Sequence, residues 1–144
     1  MAYRRIRKYN TKETQPGQDI ENDLCQAVVA RGAYVFVRGQ PPQDLDTYES
    51  VHIGDPAAQG DFAMRNVIKL LAEAGAKPEY LCKLTVYITD VRYRSPIYKA
   101  IGKHIKGIFP CQTGLVVQAL ARPEWLVEID AEAVIPEGVP AVTE

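Results

Sequence analysis

Glu128, Asp130 and Glu132 stand two residues apart in the run VEIDAEAVIP near the end of the chain. Side chains of a strand alternate between its faces, so the three carboxylates would share one face. Val127, Ile129, Ala131 and Ala133 would share the other. Carboxylates so close repel one another unless water, cations or basic side chains compensate. Three kinds of chemistry fit such a face. It could be a solvated or subunit-contacting surface held by salt bridges. It could be a hard-cation site, which needs further oxygen ligands from elsewhere. Or one carboxylate could act as an acid or base. The spacing leaves all three open.

Other reactive side chains form no self-sufficient constellation. His52 and His104 are far apart, with neither HExxH nor Cys/His ligand spacing. His104 falls beside an apolar helical stripe and suits a structural role. Cys111 follows a proline at a strand start, without the helix N-terminus or cationic neighbour that would lower its pKa. It reads as a small buried hydrophobe. Tyr87, Tyr93 and Tyr98 could stack bases, but no Arg/Lys array frames them. Phosphate-loop, dinucleotide and nucleophile-elbow motifs are all missing, so neither a metal nor a cofactor is expected.

The elements that must carry these residues follow from periodicity. The 144 residues fit a single domain, 1–144, with a polar N-terminal segment 1–18 and a short tail 137–144. A net charge of −1 points to neither nucleic acid nor an anionic membrane as partner. There is no apolar run of membrane-spanning length. Three cysteines without CxxC spacing read as reduced thiols of a cytoplasmic protein. The basic cluster Arg4, Arg5, Arg7 and Lys8 reads as a solvated, partly mobile end, followed by a turn at Pro16-Gly17.

Strands are expected over Leu24 to Val29 and Tyr34 to Arg38, paired as a hairpin. Asp55-Pro56 caps a helix whose stripe runs through Ala63, Val67, Leu70 and Leu71 to a stop at Gly75. Gly60 lies on that stripe, where a missing side chain allows close approach to a sheet. Leu81 to Thr89 alternates as a strand, and Ser95-Pro96 starts a second helix carrying Ile97, Ile101, Ile105 and Ile108. Two closing strands, joined tightly at Ala121 to Glu124, complete the order ββ-α-β-α-ββ. The class is α+β, with two helices on one face of a mixed, largely antiparallel sheet.

Four blocks at these places resemble the RidA/YjgF (L-PSP endoribonuclease-like) family over about residues 22 to 135. They are Val35-Phe36-Val37-Arg38-Gly39-Gln40, the helix Asp55 to Gly75, Leu84 to Asp90, and Phe109 through Asp130. The resemblance implies a chorismate-mutase-like fold assembled as a homotrimer with ligand clefts between subunits. It also implies a small-molecule ligand bearing a carboxylate. In that family an arginine binds the carboxylate of a 2-imino or 2-enamino acid, and a glutamate on the last strand positions the attacking water. Carried over, the glutamate is Glu128, but the arginine position holds Gln112, which has no charge. The family's nearby cysteine is Gly114, its early tyrosine is Leu24, and its site asparagine falls at Tyr98. The serine before Gly39 is Arg38, whose guanidinium either supplies the missing anion-binding charge or pairs with Glu128 or Asp130. These exchanges imply hydrolytic deamination of an imine or enamine other than 2-aminoacrylate. A non-catalytic binder or metabolic sensor is the alternative, and an RNA-acting protein the third.

Overall fold

The computed structural model describes residues 3–15 and 17–141. The turn expected at Pro16 and the end of the tail therefore lie outside the described residues. In chain order the elements are β1 (Tyr3–Ile6), β2 (Tyr9–Asn10), α1 (Thr11–Thr14), β3 (Asp23–Leu24), β4 (Ala27–Ala30) and β5 (Gly32–Gln40). Then follow α2 (Pro56–Glu73), β6 (Leu81–Ile88), α3 (Arg94–Ile105), β7 (Cys111–Val116) and β8 (Val127–Pro136). Four strands form the main sheet in the order β5-β8-β6-β7, with β6 and β7 parallel and the other pairs antiparallel.

α2 begins as its sequence predicts. Asp55 accepts a hydrogen bond from the Ala58 amide at 3.1 Å, and Pro56 takes the first helical position. Ala63, Val67 and Leu71 of α2 and Ile97, Ile101 and Ile105 of α3 are buried with Leu84, Val86, Ile129 and Ala131 of the sheet. Burying these side chains removes most of their apolar surface from water, the main force holding helices to sheet. A Cβ on Gly60 would stand 3.2 Å from Ile97, so this glycine admits α3 rather than the sheet. His104 Nε2 lies 2.7 Å from Asp61 Oδ1 and ties α3 to α2, the structural role its position suggests. Among the described residues no helix is long and apolar enough to cross a membrane.

Three expectations about connection fail, each for a local reason. β4 does not pair with β5, because only Arg31 separates them, too little for a hairpin turn. It pairs instead with β1, Tyr3 opposite Ala30 and Ile6 opposite Ala27. The basic N-terminal stretch is thus tied down. Arg5 donates to the carbonyls of Leu81 at 2.9 Å, Phe109 at 3.2 Å and Glu79 at 2.9 Å, and the Tyr3 hydroxyl bonds the Val134 carbonyl. The closing strands are not a hairpin either. α3 returns the chain parallel to β6, which leaves β7 at the sheet edge. The connection from 117 to 126 then carries the chain to the far side of β6. Finally, α3 starts at Arg94, and the Ser95 hydroxyl bonds Asp19 at 2.8 Å instead of capping the helix.

The connection from 117 to 126 is pinned by one buried side chain. Gln59 donates to the carbonyls of His52 at 3.2 Å and Glu124 at 2.9 Å, and accepts from the Leu126 amide at 2.8 Å. A carboxamide satisfied at both ends is well suited to a buried position. It fixes loop 41–54 against the start of β8, two residues before Glu128.

Candidate functional site

Strand pairing decides which face each candidate occupies. Glu128 lies opposite Tyr87, and Tyr87 opposite Leu115; the next rows are Asp130–Thr85–Thr113 and Glu132–Lys83–Cys111. Val127, Ile129, Ala131 and Ala133 are buried, so the carboxylates occupy the face away from the helices, as their spacing predicts. Their repulsion is relieved in part by the Tyr87 hydroxyl, which donates to Asp130 Oδ2 at 3.1 Å.

β5 contributes a bulge to this face. Val37 pairs with Ala131 but the next pair is Gln40 with Ile129, so Arg38 and Gly39 together span one position of β8. The bulge sets Gly39 directly beneath Glu128: a Cβ there would stand 2.2 Å from Glu128 Oε2. Only glycine leaves that space. Burial raises the pKa of Glu128; the nearby Arg38 guanidinium opposes the rise and Asp130 adds to it. Arg38 Nη1 reaches no closer partner than its neighbour's carbonyl, Gly39 O, at 3.5 Å. Among the described residues no ion pair joins Arg38 to Glu128 or Asp130. Beside Arg38, Asp44 and Tyr48 of loop 41–54 help line a cleft of about 380 Å³.

The second group of candidates faces the other way. Gln112 lies opposite Leu84 and Gly114 opposite Val86, on the helix-covered face at the sheet edge. Tyr98 reaches down from α3 so that a Cβ on Gly114 would stand 1.5 Å from the Tyr98 oxygen. Glycine at 114 and tyrosine at 98 are therefore one substitution in two parts. Burial raises the Tyr98 pKa, with Arg94 pulling in the opposite direction. The Arg94 guanidinium carbon stands 5.1 Å from the centre of the Tyr98 ring, a cation–π distance. Gln112 Oε1 is buried without a hydrogen-bond partner. Leu24 is packed in the core on β3, and the following amide, Cys25 N, bonds Pro110 O at 3.1 Å beside the start of β7.

The fold thus gathers the candidates into two groups and does not join them. Glu128, Arg38 and Gly39 stand on the open face. Gln112, Gly114 and Tyr98 stand on the covered face at the β7 edge. Sequence reasoning missed Arg94, which belongs to the second group. Its signal was the four-residue spacing to Tyr98, which puts both on one helix face; starting the helix two residues late, with Ser95 as its cap, concealed it.

Known proteins share this fold. The sequence model of the family described as Endoribonuclease L-PSP matches residues 18–135. Protein DfrA of Myxococcus xanthus is 36% identical over 110 residues, covering 76% of this chain and 82% of its own. YyfB of Yersinia pestis, a Rid-family protein of unknown function, has a crystal structure that superposes with a TM-score of 0.76 at 26% identity. That match covers 94% of this chain and 100% of the other. Escherichia coli TdcF, crystallised with bound serine, superposes with a TM-score of 0.65 at 27% identity over 77% of this chain and 87% of its own. Such kinship supports a small-molecule-binding or deaminase-like role in general. On its sequence and its fold alike, the chain belongs to the endoribonuclease L-PSP family, the Rid/YjgF proteins.

Proposed function

We propose that the chain assembles as a homotrimer and forms each site where the Glu128 face of one copy meets the Gln112 edge of the next. The opposite facing of the two groups supports this reading, since one copy cannot turn both toward the same ligand. So does the open sheet face. Phe36 is 72% exposed and Tyr34 67% exposed there, apolar surface that a second copy would cover.

The reaction proposed for this cleft is hydrolytic deamination of an imine or enamine other than 2-aminoacrylate. The single observation that carries it is Glu128, a half-buried carboxylate with a raised pKa, held above Gly39 on the open face. A carboxylate so placed is a stronger base than one in water. It takes a proton from water as the oxygen attacks the iminium carbon. It then returns that proton to nitrogen and, as the carbon–nitrogen bond breaks, takes up the hydroxyl proton, so that ammonia leaves behind a neutral carbonyl. Arg38 supplies the positive charge for a substrate carboxylate from the Glu128 wall, with Arg94 on the facing wall. A neutral Gln112 between them shifts the preference away from the smallest imino acid. The proposed setting is cytoplasmic, where thiols are reduced at rest.

Ammonia release from a panel of imino acids, generated in place by an amino-acid oxidase, tests this reading. Release above background that is lost in Glu128→Ala is the expected result. Release from no member of the panel would contradict it, and fast turnover of 2-aminoacrylate would refute the altered preference.

One observation favours a second reading, a binder without turnover: the Gln112 wall carries a neutral amide where the family's grip is charged. TdcF, with its bound serine, is a relative that holds a small amino acid. Tight ligand binding with no ammonia release would favour it. RNA ranks third, because the net charge is −1 and Arg5 of the basic segment is already engaged with carbonyls.

A further inference from the structure

Two of the three cysteines meet in space although 86 positions separate them in sequence. Cys25 Sγ stands 3.9 Å from Cys111 Sγ, and the Cys25 amide bonds the Pro110 carbonyl at 3.1 Å. The backbone bond holds the two segments against each other at this point, and the sulfurs must close from 3.9 Å to about 2 Å to bond. Cys82 is turned elsewhere, its sulfur 3.5 Å from the Tyr80 carbonyl.

The two thiols differ in access. Cys25 is buried, while Cys111 is partly exposed at the start of the edge strand. Burial, together with the neighbouring Cys111, pushes the Cys25 thiol up to about 11, with the nearby Arg5 guanidinium opposing the rise. Within one copy Cys111 is the more exposed sulfur, and Cys25 is the protonated partner behind it.

We propose that Cys25 and Cys111 form an oxidisable dithiol, a modification site that a hydroperoxide closes into a disulfide. The Cys111 thiolate attacks the terminal peroxide oxygen, the oxygen–oxygen bond breaks, and an alcohol or water leaves, giving a sulfenic acid at Cys111. The Cys25 sulfur then attacks the sulfenic sulfur, loses its proton and expels water. Two thiols are oxidised by two electrons, one hydroperoxide is reduced, and the new sulfur–sulfur bond accounts for both. The bridge staples the Leu24–Cys25 segment to the residue preceding Gln112, so oxidation stiffens the Gln112 edge. The chemistry itself stands independently of the reaction proposed for the site.

The test treats the reduced, full-length protein with hydrogen peroxide and counts thiols after denaturation, followed by intact mass and peptide mapping. The expected result is a fall from three free thiols to one, a mass lower by two hydrogens, and a crosslinked peptide containing Cys25 and Cys111, all reversed by dithiothreitol. Cys82→Ser is expected to lose both remaining thiols in the same way. Three persisting thiols, a mass gain from sulfinic acid, or a bridge that includes Cys82 would each overturn the proposal. Because the bridge is mapped in the unmodified sequence, the test does not depend on the folding of a cysteine variant.

Discussion

The Glu128 face and the Gln112 edge lie on one sheet, two strands apart, and are built on opposite principles. The Glu128 face is open and charged, and its geometry comes from backbone: a bulge in β5 and a glycine beneath a carboxylate. The Gln112 edge is filled by side chains, with Tyr98 occupying the space above Gly114 and Arg94 stacked over Tyr98. The difference teaches that backbone geometry shapes one half and side-chain packing the other. The half proposed to activate water rests on a carboxylate set against a glycine. The half proposed to grip the ligand is shaped by packed side chains, with the positive charge of Arg94 held over Tyr98.

The comparison breaks most decisively at Glu128. Replacing it with alanine is expected to lower ammonia release by about 10²- to 10⁴-fold, the range for losing a positioned acid–base group. Ligand affinity should change little, which kinetics and calorimetry on the same variant would check. On the other half, Gln112→Glu places a negative charge where a carboxylate ligand approaches. It is expected to weaken binding of such ligands by about tenfold or more, with the loss shrinking as salt rises. An unchanged dissociation constant would remove Gln112 from the site.

Two smaller effects sharpen the contrast. Gly114→Ala forces a methyl against the Tyr98 hydroxyl and is expected to cost about 1–3 kcal/mol in denaturant unfolding, as overpacking does. Tyr98→Phe in the same chain should recover part of that loss; additive effects would show that the two residues are not coupled. The smallest effect concerns pH. Burial raises Glu128 in the fold, so between its unfolded value of 4.5 and its folded value the folded chain holds a proton that the unfolded chain has released. Stability from this group is therefore present below 4.5 and falls as pH rises toward the folded value. Glu128→Gln should melt higher than wild type at pH 7, with the difference vanishing in acid. A variant that melts lower at pH 7 would contradict the burial account.

Much of the fold was legible from local patterns. Asp55-Pro56 and Gly75 marked the ends of α2 because caps act within a few residues. The alternation along β8 gave the carboxylate face, since period two depends on nothing distant. Pairing was not legible in the same way. β4 and β5 looked like a hairpin, and β7 and β8 like another, because neighbours in sequence are the usual partners. The true partner of β4 came from a basic N-terminal stretch with little strand character of its own, held by Arg5 reaching three carbonyls. At the site, Glu128, Arg38 and Gly39 were found together because they lie on adjoining strands. That Gln112 faces the other way could not be read without knowing that β6 separates β7 from β8.

The central claim is that two copies share each site, and mixed assembly tests it most directly. Glu128→Ala chains, which have lost turnover, and Gln112→Glu chains, which bind weakly, are unfolded and refolded together in equal amounts, and ammonia release is measured at low substrate. A cleft takes its Gln112 edge from one copy and its Glu128 face from another, so random assortment leaves about a quarter of the clefts intact. The account predicts recovery to about that fraction of wild-type activity. A mixture no more active than the average of its two components would contradict it.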